Sequence, residues 1–227
     1  MLTLVIGNKC YSSWSLRPWI LLRQLGIPFD EILIPLYQEG SKEKIIEHSP
    51  AGKVPILKDG DITVWESLAI MDYVAEARPN LTVWPKERDA HAFARSISTE
   101  MHAGFAALRN ACSMNLGKKF PAKDRGEDVS ADVKRITAIW REARQRFGHG
   151  GPFLFGAFGA ADAMYAPVVT RFETYSIPVD DTSRTYMDAV MSTAAFRDWR
   201  AAGLKESWVL PHVEVDEKPL ENYRQTK

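Results

Sequence analysis

The sequence predicts an α/β domain followed by an all-helical one. Three observations carry that reading. Short apolar runs are separated by one helical stretch in the first 65 residues. An Asp59-Gly60 turn joins two of those runs. From Glu87 onward apolar residues recur at helical spacing, with no strand alternation of comparable length.

Taken in order, Leu2 to Ile6 has the pattern of a buried strand, and Gly7-Asn8-Lys9 breaks it. Pro18 is tolerated in a first helical turn, so a helix is expected from Ser15 or Leu16 to a stop at Gly26. Phe29 to Ile34 reads as a second strand and Lys42 to His48 as a turn or two of helix. The runs ending at Leu57 and beginning at Ile62 flank the Asp-Gly turn as a hairpin. Leu68, Met71 and Val74 then share one face of a helix that starts at or beside Ser67. Arg78-Pro79 ends it and Pro85 blocks its resumption.

The expected division is therefore a first domain over residues 1–79, a linker over 80–86 and a helical domain over 87–227. Within the last, helices are expected from Arg88 to about Leu116, from Val129 to Phe147 and from Ala160 to Tyr175. Shorter ones are expected around Tyr186–Met191 and Thr193–Ala202, with Lys118–Ser130 a mobile polar loop.

Composition narrows the function. The chain has 227 residues, 45% of them hydrophobic, and 29 basic residues balance 29 acidic ones. No charge excess favours nucleic acid or an anionic membrane, and no apolar run approaches the roughly 20 residues a span needs. Cys10 and Cys112 form no Cys-x-x-Cys pair and read as reduced thiols, which places the protein in the cytoplasm. No metal-ligand cluster is visible, and the five histidines, Glu-adjacent or not, form no triad by spacing.

The ligand is suggested by residues 49–67. Val54 precedes Pro55, which favours extended backbone whose N–H and C=O can pair with a peptide-like molecule. The helix start at Ser67 offers unpaired N–H groups and partial positive charge to a carboxylate, and Glu66 beside it can hold an ammonium. Together these suit a small zwitterionic peptide.

Pro50-Ala51-Gly52-Lys53-Val54-Pro55 and Glu66-Ser67-Leu68-Ala69-Ile70 resemble the glutathione-binding signature of the cytosolic glutathione transferases. The resemblance covers most of the chain. It implies a thioredoxin-like first domain, glutathione as co-substrate, a small hydrophobic electrophile bound between the domains, and a homodimer. Lys53 is then expected to reach the glycyl carboxylate, with Gln38 in a loop that closes over it.

Ser12-Ser13-x-Ser15-x-Arg17 further resembles the Ser-Ser-Cys-Ser-x-Arg motif of the zeta class. A thiol near neutral pH is mostly protonated, so a hydroxyl at a helix start is needed to hold the thiolate. The resemblance makes Ser12 the expected donor. Counting as in delta or theta enzymes points to Ser13, and Tyr11 has the spacing of the tyrosine in the alpha, mu and pi classes. Trp14 replaces the zeta cysteine, which counts against maleylacetoacetate isomerase activity. Cys10, two residues ahead of the expected helix-start position, is read as a buried or loop thiol and not as a mixed-disulfide former.

Arg17 is expected to anchor the helix and Asp162 to cap a buried one, although Gly159 stands where the family has Ser or Thr. Candidates for the electrophile pocket are Trp14, Met101, His102, Phe105, Arg109 and Asn110. The expected function is transfer of glutathione to an electrophile. The alternatives are a glutathione-dependent isomerase and a non-catalytic glutathione-binding module.

Overall fold

The computed structural model describes residues 1–224, so the last three positions of the expected helical domain lie outside the described residues. Four strands, β1 (Leu2–Ile6), β2 (Phe29–Leu33), β3 (Ile56–Asp59) and β4 (Ile62–Trp65), form one sheet in the order β2-β1-β3-β4. β1 and β2 are parallel, because α1 (Ser13–Gln24) crosses between them. β3 and β4 are the antiparallel hairpin that closes at Asp59↔Ile62. With α2 (Ser41–Ile46) and α3 (Ser67–Ala77) this is a thioredoxin-like arrangement.

β1 is buried on both faces along Leu4-Val5-Ile6, as that apolar run requires. Leu2, Leu4 and Ile6 enter the main core with Leu16, Ile20, Leu57 and Ile70. Val5 faces the other way, into a small cluster with Ile34, Ile45 and Ile56 under α2.

Among the described residues six α-helices follow, α4 (Arg88–Ala103), α5 (Ala106–Ala111), α6 (Glu127–Phe147), α7 (Ala160–Thr174), α8 (Asp181–Met191) and α9 (Ala194–Leu204), and then a 3-10 turn at Pro211–Val213. α7 is the axle of the molecule, buried along most of its length and packed against both α1 and α4. Its start is held by Asp162, whose carboxylate accepts from Leu154 N at 3.0 Å and Gly159 N at 2.9 Å.

Four expectations need correction. The helix expected to run to Leu116 breaks at Gly104-Phe105. A Cβ on Gly104 would lie 2.7 Å from the Glu100 carbonyl oxygen, and Phe105 takes a φ of +58°, which turns its ring into the core. The second region is also not wholly α: β5 (Lys118–Lys119) pairs antiparallel with β6 (Glu221–Asn222). The loop that begins there is anchored, since Arg125 forms a bidentate pair with Glu217 at 3.0 Å, and α6 starts two residues earlier than the pattern indicated.

The chain after α9 returns across the molecule as a strap. Glu206 accepts from the backbone N–H groups of Lys9 (2.6 Å) and Cys10 (3.1 Å), and Trp199 donates to Lys9 O at 2.9 Å. Arg224 donates to the carbonyls of Glu206 and Trp208, and Glu214 binds Asn115 and Lys118. The loop leading into α1 is thus fixed by the end of the chain.

Candidate functional site

A cleft of about 250 Å³ opens between the sheet domain and α4. It is lined by Trp14, Lys53, Val54, Pro55, Trp65, Glu66 and His102. Val54 is presented just ahead of β3 through a cis Val54-Pro55 bond. Among the described residues its N–H and C=O have no hydrogen-bond partner, so the edge is open to a ligand.

Glu66 follows β4 directly and stands at the head of α3 with φ +69° and ψ 128°. That region is sparsely populated by residues other than glycine and is held only where the surroundings impose it. No side chain caps α3, so the N–H groups of its first turn are left for solvent or an anion. Ser67 is the first helical residue, not the cap. Its side chain is buried, with Oγ 4.0 Å from Met164 Sδ, so an anion here meets backbone donors first.

At the start of α1, Ser12 is the N-cap. Its Oγ accepts from Ser15 N at 3.4 Å and donates to Ser15 Oγ at 2.8 Å, which in turn accepts from Gly7 N at 3.0 Å. The Ser12 hydroxyl is thereby engaged within the turn, tying α1 to β1. Ser13 differs. Its Oγ accepts from Arg171 Nη2 at 3.4 Å, which leaves its own hydrogen free. Both serines are buried behind Trp14, the residue of this turn that lines the cleft.

Tyr11 is corrected as a candidate. Its hydroxyl donates to Glu214 Oε1 at 2.7 Å and accepts from Arg224 Nη1 at 2.9 Å, facing the strap and not the cleft. Burial and the Glu214 carboxylate push the phenol up, so it gives no phenolate. Cys10 is likewise no nucleophile: it is fully buried, and burial pushes its thiol up to about 11.

Of the electrophile candidates, His102 reaches the cleft, with its ring 5.2 Å from that of Trp14. Met101 is wholly in the core and Phe105 nearly so. Arg109 lies over Trp14 at 5.6 Å, Asn110 is exposed, and Gln38 bonds only locally, to Ser41 and Leu36. Arg17 anchors α1 to α7 by donating to Met164 O at 3.1 Å. Sequence reasoning missed Trp65, which alternation along β4 marks as the neighbour of Glu66, and Arg171, which only the packing of α7 on α1 brings to Ser13. A larger cleft of about 900 Å³ lies under the strap but shares no lining residue with Val54, Glu66 or the start of α1.

Residues 11–77 match the family model of the glutathione S-transferase N-terminal domain and residues 124–203 that of the C-terminal domain. A probable maleylacetoacetate isomerase of Caenorhabditis elegans is 34% identical over 154 residues, 67% of this chain and 70% of that protein. The chain belongs to the glutathione S-transferase family. Maleylacetoacetate isomerase of Mus musculus is 35% identical over 102 residues, and the match spans about half of that relative, 47%. A glutathione transferase homolog from Burkholderia, solved with bound glutathione, superposes with a TM-score of 0.68 at 21% identity, over 89% of this chain and 97% of that one. That likeness bears on the fold. As a glutathione S-transferase the chain is an enzyme with a thioredoxin-like first domain and a helical second region.

Proposed function

We propose that this transferase binds glutathione along Val54, with its γ-glutamyl end at Glu66 and the start of α3, and conjugates the thiolate to a small hydrophobic electrophile. The observation that carries the reading is the coincidence, in one cleft, of an unpaired backbone edge, an uncapped helix start and a carboxylate. These match the amide, carboxylate and ammonium of a γ-glutamyl peptide. Lys53 supplies a cation for the glycyl carboxylate.

The sulfur then falls at the start of α1, where the helix dipole and a serine hydroxyl favour the thiolate. Ser13 is the donor in this reading, with Ser12 its competitor, because Ser12 Oγ is engaged by both the N–H and the hydroxyl of Ser15 whereas Ser13 Oγ only accepts, from Arg171. The thiol proton leaves to solvent. The thiolate attacks an electrophilic carbon, the S–C bond forms, and the leaving group departs with the electron pair of the bond that breaks.

The names of the relatives favour a second reading, cis–trans isomerisation. The thiolate adds to a conjugated double bond, rotation occurs about the resulting single bond, and elimination returns the thiolate. Trp14 in place of the zeta-class cysteine weighs against it. Assembly as a homodimer in the cytoplasm is proposed on family grounds, and a monomeric mass by light scattering at micromolar concentration would defeat the dimer.

The deciding experiment is turnover with a chloronitroaromatic electrophile and with maleylacetoacetate, beside calorimetry of glutathione binding. Chloride release with the first supports transfer, and reaction only with the second supports the isomerase. Binding without turnover of either leaves a glutathione-binding module, and no binding at all refutes the assignment of the cleft.

A further inference from the structure

Beside Trp14 three arginines converge, and among the described residues none of them has a counter-ion. Arg17 on α1 is completely buried, Arg171 on α7 nearly so, and Arg109 on α5 half-buried. Arg17 donates to the carbonyls of Met164 and Ser13, both at 3.1 Å. Arg171 donates to Pro167 O at 3.2 Å and Ser13 Oγ at 3.4 Å. All these acceptors are neutral. Arg17 Nη2, Arg109 Nε and Arg171 Nε are buried with no partner. Among the described residues none of the three is in an ion pair.

A guanidinium stays protonated in a protein, and buried charge is retained only where something compensates it. Burial, with Arg171 and Arg109 adjacent, pushes Arg17 down, and burial pushes Arg171 down to about 10, both still cationic near neutrality on the ordinary behaviour of arginine. Asp132, whose carboxylate accepts from Leu108 N at 3.0 Å next in sequence to Arg109, is in an ion pair with none of the three. The thiol and phenol packed beside the cluster supply no negative charge either. Burial pushes the Cys112 thiol up to about 11 and the Tyr175 phenol higher still. Among the described residues no anion pairs with the cluster.

Its position says where the anion comes from. The cluster touches Ser13 and Trp14, the turn at which the proposed function places the sulfur. Arg171 donates to Ser13 Oγ, which leaves the serine hydrogen to point away from the guanidinium. Arg17 and Arg109 lie 4.1 and 5.6 Å from the Trp14 ring, and that ring lines the cleft. They act on the cleft through their field and not as direct donors.

We propose that the Arg17–Arg109–Arg171 cluster is the counter-charge of the glutathione thiolate, with Arg171 a positioning residue that orients the Ser13 hydroxyl toward the sulfur. The inference rests on the reading of the cleft as the glutathione site. On binding, the thiol loses its proton to water and the thiolate supplies the missing negative charge, so no redox partner is involved.

The test is to titrate the ultraviolet absorbance of bound thiolate in wild type, Arg171→Gln, Arg171→Lys and Arg109→Gln, beside calorimetry with S-methylglutathione, which has no thiol to ionise. Losing an opposite charge a few ångströms away should raise the thiol pKa in Arg171→Gln by about 1, with an about tenfold lower rate at neutral pH that recovers in alkali. Arg171→Lys should restore most of the difference, Arg109→Gln should give a smaller rise, and S-methylglutathione should bind all four alike. Folded variants with wild-type S-methylglutathione affinity and an unshifted thiol pKa would overturn the proposal. So would an unshifted pKa with selective loss of turnover on a carboxylate-bearing electrophile, which would assign the cluster to that substrate. Should Arg171→Gln not fold, Arg109→Gln decides, since that side chain is half-exposed. If wild type itself binds neither glutathione nor S-methylglutathione, the glutathione reading fails and this proposal with it; loss confined to the thiol pKa leaves that reading standing.

Discussion

Glu66 Oε2 lies 3.8 Å from His102 Nε2, so the carboxylate at the head of α3 faces an imidazole from the helical region across the mouth of the cleft. In the proposed complex the γ-glutamyl ammonium takes that place. Removing the imidazole frees the carboxylate for that ammonium, and a part-exposed pair of this kind is worth little. Glutathione affinity should therefore rise modestly in His102→Ala. Calorimetry of both proteins checks it, and an unchanged affinity would remove His102 from the cleft's electrostatics.

The backbone of Glu66 should be a place where stability and binding oppose each other. A residue other than glycine in this region carries roughly 1–3 kcal/mol of strain, whereas a new glycine costs roughly 0.5–1 kcal/mol through the unfolded chain. Glu66→Gly should thus raise stability by about 1 kcal/mol while weakening glutathione binding. Denaturant unfolding and calorimetry read the two effects separately. A destabilised variant would mean that the φ of +69° is not strained.

Asp162 should give stability an acid-side dependence. Burial pushes its carboxyl up from 3.8 to about 6, outweighing the two backbone N–H donors. The folded state therefore holds the proton more tightly. The group's contribution is complete below about pH 4 and is lost as pH rises through about 6. Relative to Asp162→Asn, wild type should lose roughly 3 kcal/mol over that window, taking 1.36 kcal/mol per pKa unit. Urea unfolding of both proteins across the window is the measurement. A constant difference would show that the backbone donors hold the carboxylate ionised.

Both thiols should be silent in the native protein. Cys10 and Cys112 are fully buried, and burial pushes each up to about 11. A disulfide reagent near pH 8 should find no reactive thiol until the protein is unfolded, and then both. Cys10→Ala should keep its activity. Rapid labelling of Cys10 would revive the mixed-disulfide chemistry that its burial rules out.

The first domain was legible because its signals are local. The Asp59-Gly60 turn, the alternation of β4 and the apolar face of Leu68, Met71 and Val74 each sit within a dozen residues, and the structure places a hairpin and α3 there. The α4–α5 break was not. Periodicity continues across Gly104, and only the folded backbone shows that position 104 turns out of the helix where a side chain would meet the Glu100 carbonyl. Nor could spacing show which way the hydroxyls of Ser12 and Ser13 face, because Arg171 is 158 positions from Ser13. The orientation of Tyr11 depends on Glu214 and Arg224, more than 200 positions away.

That last dependence bears on what the segment after α9 does for the site. Lys9 and Cys10 meet Trp199 and Glu206 across 190 to 197 positions, and Tyr11 meets Arg224 across 213. Closing loops of that length costs entropy before any contact is gained, so these bonds are expected among the last to form. The turn ahead of α1 is a clasp, fastened after the parts it holds have come together.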